Sequence, residues 1–307
     1  MAKRDEIIQE IQSVLDKRAE EFTLAMPFVQ KRMYSEVLKI AKDLDTYSDG
    51  TIKPTMKNVK TIAKIKAVLN EVVLDGKYYK ELQKVVDTYA TITTLQNQYF
   101  TAMVGQFGVP AVLAEIQKTS IDITVERLGK DGMNAGVINK VRDILNKNIT
   151  TGGKITDFIE ETRIYLTDTD EGEGALHKYS KTIVTDALNQ YSAQYNQLIS
   201  DDLGFNFYEY VGSLRETSRE FCVKLIEAKS GCMKFIHKSQ FSELIAGKIC
   251  GEQIHINKKS DLPSGMIKGT NVSNLLVNRG GYGCNHSIFG VSNVLVPMDV
   301  RNAFKGK

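Results

Sequence analysis

Apolar residues recur every three or four positions from the start of the chain to about residue 200, and this period predicts helix almost throughout. Ile7, Ile8, Ile11, Val14 and Leu15 share one face of a first helix. Val29, Met33, Val37, Ile40 and Leu44 do the same for a second, with Pro27 near its start, where a missing N–H is harmless. The turn residues of SDGTIKP close it. Val59, Ile62, Ile65 and Leu69 predict a third helix, and Leu82, Val85, Val86 and Tyr89 a fourth. Beyond Pro110, shorter helices are expected around Val137, Val141 and Leu145 and around Phe158 and Ile159. Tyr179, Ile183, Ala187, Tyr191, Tyr195 and Leu198 mark a long later helix. Such an aromatic stripe belongs in a core rather than on a platform for stacking bases.

The period then changes. FNFYEYVGS, residues 205–213, alternates aromatic and β-branched side chains and predicts a strand. From there the chain is shorter-ranged and richer in glycine. The acidic stretch TDTDEGEG, residues 167–174, alternates aspartates somewhat as a calcium loop does but lacks the rest of that spacing. It reads as a solvated loop whose charge suits the N-terminus of the next helix. A boundary is expected there. The predicted architecture is a mainly α N-terminal region, residues 1–170, followed by a small α+β domain, residues 171–307.

Composition sharpens this picture only in part. A chain of 307 residues, 42% hydrophobic and 25% charged, can bury one sizeable core or two smaller ones. A net charge of +3 is too small for a nucleic-acid coat, so Lys57, Lys60, Lys64 and Lys66 read as a solvated helix face. Thr88 to Ala114 carries no charge, yet Gln96, Asn97, Gln98, Gln106 and Pro110 favour a buried helix and an apolar turn over a membrane span. The charged, amphipathic beginning is not an export signal, so the thiols are expected to be reduced and free for metals.

The candidate chemistry is confined to the last third. Cys222, Cys232, Cys250 and Cys284 are the only cysteines, and His237, His255 and His286 lie among them. Zinc wants four thiolate or imidazole ligands held tetrahedrally. Cys284 and His286 follow paired glycines in RGGYGCNH, and with Cys222 they make three ligands; Cys250 or His255 is the expected fourth. Two alternatives remain at this stage. Cys222 and Cys284 can form a disulfide, or they can simply pack while His286 bonds to a carbonyl. A Cys–His hydrolase would need a thiolate activated by an imidazole and steadied by a group such as Asn285. No sequence feature fixes that geometry. Phosphate-binding loops, zinc-protease helices and serine-nucleophile elbows are absent from the sequence, and no enzyme activity is expected.

The order of features resembles the phage head morphogenesis family, the Mu F-like minor head proteins. Thr185 and Asp186 match the family's helix pair, and Gly204, Tyr210, Val211 and Gly212 its strand. Arg219, Phe221 and Cys222 match an Arg-x-Phe-Cys motif, and Gly280, Gly281, Tyr282, Cys284 and His286 a closing GGYNCRH-like segment. Gly283 and Asn285 depart from that segment, as does the SIFGV that follows it. The resemblance covers roughly residues 175–297. It implies a few-copy structural component of the virion, assembled in the host cytoplasm. Its implied partners are the portal, other head proteins and viral DNA during packaging or ejection, with no membrane involved. The alternative it leaves is a Cys–His hydrolase or toxin-like cargo enzyme, disfavoured because the chain stops soon after GGYGCNH.

Overall fold

A computed structural model describes residues 2–73, 76–170 and 172–306. Helices α1 (Ala2–Leu24), α2 (Met26–Lys42), α3 (Met56–Val73), α4 (Gly76–Val104) and α5 (Val112–Leu128) come first. A run from α6 (Lys130–Met133) passes through a π-helical turn (Asn134–Ile138) into α7 (Asn139–Thr151), followed by α8 (Ile155–Leu166) and α9 (Ala175–Asp202). Then come β1 (Phe207–Val211), α10 (Glu220–Ala228), β2 (Ile236–His237) and α11 (Phe241–Ile245). Two short hairpins follow, β3 (Lys248–Ile249) with β4 (Glu252–Gln253) and β5 (Ile256–Asn257) with β6 (Leu262–Pro263). The chain closes with α12 (Leu275–Asn278), β7 (Ser287–Val291) and α13 (Met298–Ala303). The fold class is the expected one: helices alone, then a small part with a few short strands. Among the described residues no helix is long and apolar enough to cross a membrane.

The chain divides into two compact units, one of residues 18–87 and 121–184, the other of residues 1–17, 88–120 and 185–307. The boundary expected between residues 170 and 171 therefore falls inside the first of these. Residues 1–17 and 88–120 group with the strands. The reason lies in what their apolar faces meet. Tyr89 packs on Tyr191 at 4.9 Å between ring centres, and Tyr99 packs on Phe289 at 5.1 Å.

In the first unit α2 packs on α3 and α8, and α7 packs on the same two helices. Met33, Val37, Ile65, Leu69, Val141, Leu145, Phe158 and Leu166 are fully buried between them. The expected third-helix stripe is rotated: Asn58 and Thr61 are buried, and Val59 is exposed. Asn58 accounts for this, because its amide bonds to the carbonyls of Asp45 and Lys53 and closes the preceding loop. The acidic loop behaves as expected. Asp168 accepts the Gly174 N–H at 2.7 Å just before α9 and meets His177 Nδ1 at 3.1 Å. Burial opposes ionisation there, but Gly174, His177 and Gln30 together hold the Asp168 carboxyl below its usual range.

In the second unit β1 is the centre of an antiparallel sheet ordered β2-β1-β7, with Glu209 opposite Phe289 and Val211 opposite Ser287. Every residue of β1 and β7 is buried, so both faces of the sheet are covered. Tyr208, Tyr210 and Ile288 face a core with Phe221, Leu225 and Leu275. Phe207 and Val291 pack on the other side with Phe235 and Val296. The outer edge of β7 is closed by side chains instead of a fourth strand. Asn196 accepts the Gly290 N–H at 2.9 Å, and the Tyr99 hydroxyl donates to the Gly290 carbonyl at 2.8 Å. The N-terminal half of α1 joins the same unit: Arg4 meets Glu209 at 3.1 Å, Gln12 donates to Ser287, and Asp16 accepts from Asn285, both at 2.8 Å.

Candidate metal centre

Cys222 stands in the first turn of α10, and Cys284 and His286 stand in the segment that enters β7. Two residues let these segments touch. Gly280 has no side chain; a Cβ there would lie 2.5 Å from Cys222 Sγ and 3.1 Å from Cys284 Sγ. Gly212, just past β1 at φ 138°, leaves room for the His286 ring, which a Cβ would meet at 2.7 Å. The paired-glycine and strand-end motifs thus have a local physical cause.

The three donors converge. Cys222 Sγ and Cys284 Sγ are 3.8 Å apart, Cys284 Sγ and His286 Nδ1 are 3.7 Å apart, and the whole set lies within 4.8 Å. Zinc–sulfur bonds of about 2.3 Å and zinc–nitrogen bonds of about 2.0 Å set tetrahedral edges of roughly 3.8 Å and 3.6 Å. The two separations that involve Cys284 match those edges. All three residues are buried, so the set can hold a metal ion away from bulk water.

The surroundings are polar and ordered. The Tyr210 ring stacks on His286 at 5.3 Å, with its hydroxyl 4.0 Å from Cys284 Sγ. Asp186 accepts the Gly283 N–H at 2.6 Å, and Arg219 donates to the Tyr282 carbonyl at 2.6 Å. Arg279, left-handed at φ 46° and buried, reaches the carbonyl of Asn189 at 3.3 Å. The hydrogen bond from Cys222, reinforced by His286 and Arg279, holds the Cys284 thiol far below the ordinary range against the effect of burial. The same bond, together with burial, pushes Cys222 up.

The alternative of a disulfide between Cys222 and Cys284 is not what forms, since both are free, and His286 Nδ1 faces the Cys284 sulfur. The expected fourth ligands are not in place. Cys250 is joined to Cys232 in a disulfide with 6.0 Å between Cα atoms, and His255 is exposed outside the cluster. Cys250 and Gly251 both have positive φ, 52° and 83°, and form the two-residue turn between β3 and β4. That turn brings Cys250 to Cys232, so the expectation that all four thiols stay reduced is corrected. His237 lies elsewhere, stacked on Phe304 at 4.6 Å. Asn285, the orienting group a hydrolase would need, bonds instead to Asp16.

Sequence reasoning missed the roles of Arg279, Tyr210 and Asp16. Arg279 had one visible signal, its place directly before the paired glycines. No protein-family model matches the chain, nor does any curated protein or any solved structure.

Proposed function

We propose that this chain is a phage minor head protein of the Mu F-like kind, a structural component of the virion pinned by zinc at Cys222, Cys284 and His286. One observation carries the reading. Thr185 and Asp186, Tyr210 to Gly212, Arg219 to Cys222 and Gly280 to His286 are far apart in sequence, and they gather around one centre. Asp186 bonds Gly283, Arg219 bonds Tyr282, Tyr210 stacks on His286, and Cys222 meets Cys284. Motif matches that arose by chance would be scattered over the fold. Zinc suits the donor set, since thiolate and imidazole in tetrahedral spacing favour it over oxygen-loving cations.

In this reading the protein is assembled in the host cytoplasm and enters the particle in few copies. Its partners are the portal, other head proteins and viral DNA during packaging or ejection. The helical region, residues 1–170, offers amphipathic surface for docking on a ring-shaped partner. Mass spectrometry of purified particles, made from a genome that encodes this chain, tests the proposal. The expected result is a few copies per particle that co-sediment with the portal after mild dissociation. Its absence from particles sinks the reading.

A further inference from the structure

Three protein donors leave a tetrahedral metal one position short. Among the described residues no further Cys, His, Asp or Glu joins the set. Cys250 is in the disulfide, His255 is exposed, and the Asp186 carboxylate is bonded to Gly283. What does reach the three donors is a cleft of about 70 Å³, lined by Cys222, Cys284 and His286 themselves. Its rim is Ser213, Arg215, Thr217, Ser218 and Arg219, two guanidinium groups and three hydroxyls with no carboxylate. The volume has room for a few water molecules or one small anion and excludes a peptide or a nucleotide.

One more feature favours an anion. The first turn of α10, which carries Cys222, has no side-chain cap, so its amides keep their partial positive charge. A dication held by two thiolates and an imidazole is close to neutral. An added anion is then balanced by Arg219, since Arg215 already pairs with Asp16 at 3.4 Å.

We infer that the centre is a three-ligand site whose fourth position opens on this cleft and takes a small oxyanion or carboxylate, with Arg219 as its charged partner. The inference rests on the zinc reading above. It makes the centre an exchangeable binding site as well as a pin.

Cobalt(II) substituted into the full chain tests this, because its visible bands report the ligand set directly. The expected result is one cobalt per chain and bands that shift saturably with acetate or phosphate. Arg219→Gln is expected to weaken that binding about tenfold with cobalt stoichiometry unchanged, the size of one charge-assisted hydrogen bond. Arg219 also holds Tyr282, so Arg215→Gln, on the exposed rim, provides a second variant expected to weaken binding about threefold. Full cobalt occupancy with bands indifferent to both anions overturns the open position and leaves the metal reading standing. So does a band shift in Tyr210→Phe or His255→Ala that creates an anion response absent from the unsubstituted protein, since the protein then closes the site itself. No stoichiometric cobalt overturns both.

Discussion

Two pairs of cysteines lie in the same unit and end in different states. Cys232 and Cys250 are exposed and joined, while Cys222 and Cys284 are buried and 3.8 Å apart. The first pair is 18 residues apart in sequence and is brought together by one tight turn. The second is 62 residues apart and is brought together by a helix start and the approach to β7. Their neighbours differ as well. The buried pair has His286 in contact and the Arg279 cation acting on Cys284. The thiols that could hold a metal thus differ in their surroundings from the thiols that are joined.

The comparison can be broken most severely at the buried pair. Cys222→Ser and His286→Ala are each expected to abolish zinc, from about one per chain by elemental analysis of protein purified without chelator. With free zinc near a thousandfold above its dissociation constant, chelation is expected to lower stability by about 4 kcal/mol. Normal thermal stability in metal-free protein would overturn the centre. At the exposed pair, the double variant Cys232→Ser, Cys250→Ser is expected to lose about 3 kcal/mol through a longer-ranging unfolded chain. Its zinc content should stay at the wild-type level. If zinc falls as well, the two pairs are one system and the contrast drawn above is wrong.

Smaller effects sharpen the same contrast. Gly280→Ala places a methyl against both buried sulfurs and is expected to cost about 2 kcal/mol, with weaker zinc retention in a chelator competition. Asp186→Asn weakens a charge-assisted bond to the Gly283 N–H and is expected to cost about 1.5 kcal/mol in chemical denaturation. Asn285→Ala removes only the bond to Asp16, about 1 kcal/mol, and should leave zinc untouched. A loss of zinc in that last variant would restore Asn285 to the role a hydrolase reading gave it.

How much of this was legible beforehand follows from the range of the causes. The helices α1 to α4 and the strand β1 are local patterns of period near 3.6 and 2, and they appear where the pattern puts them. The grouping of residues 1–17 and 88–120 with the strands depends on which faces meet, and no local window contains that. Cys222, Cys284 and His286 were found because the residue types suited one chemistry and the glycines beside them suited close approach. The fourth position was misplaced because every Cys and His was treated as a free ligand. Nothing in KICGEQ states that Cys250 sits in a left-handed turn aimed at Cys232. Beyond its place before the paired glycines, Arg279 gave no signal, because a buried arginine bonded to a backbone carbonyl leaves no partner to spot in the sequence.

The bonds that tie α1 to the strands, Gln12 to Ser287 and Asp16 to Asn285, set an order of events during synthesis. This segment is among the last to find its partners, because Ser287 lies 275 residues after Gln12 and Asn285 lies 269 residues after Asp16. Residues 18–184, by contrast, can complete their own core while the strands are still being translated. In the finished unit Ile7, Ile8, Ile11 and Leu15 are buried. The long-separation contacts make that closing step slow relative to helix formation. A nascent chain stalled before residue 284 would therefore present folded helices, an N-terminal segment without its bonds to Ser287 and Asn285, and a single thiol of the pair.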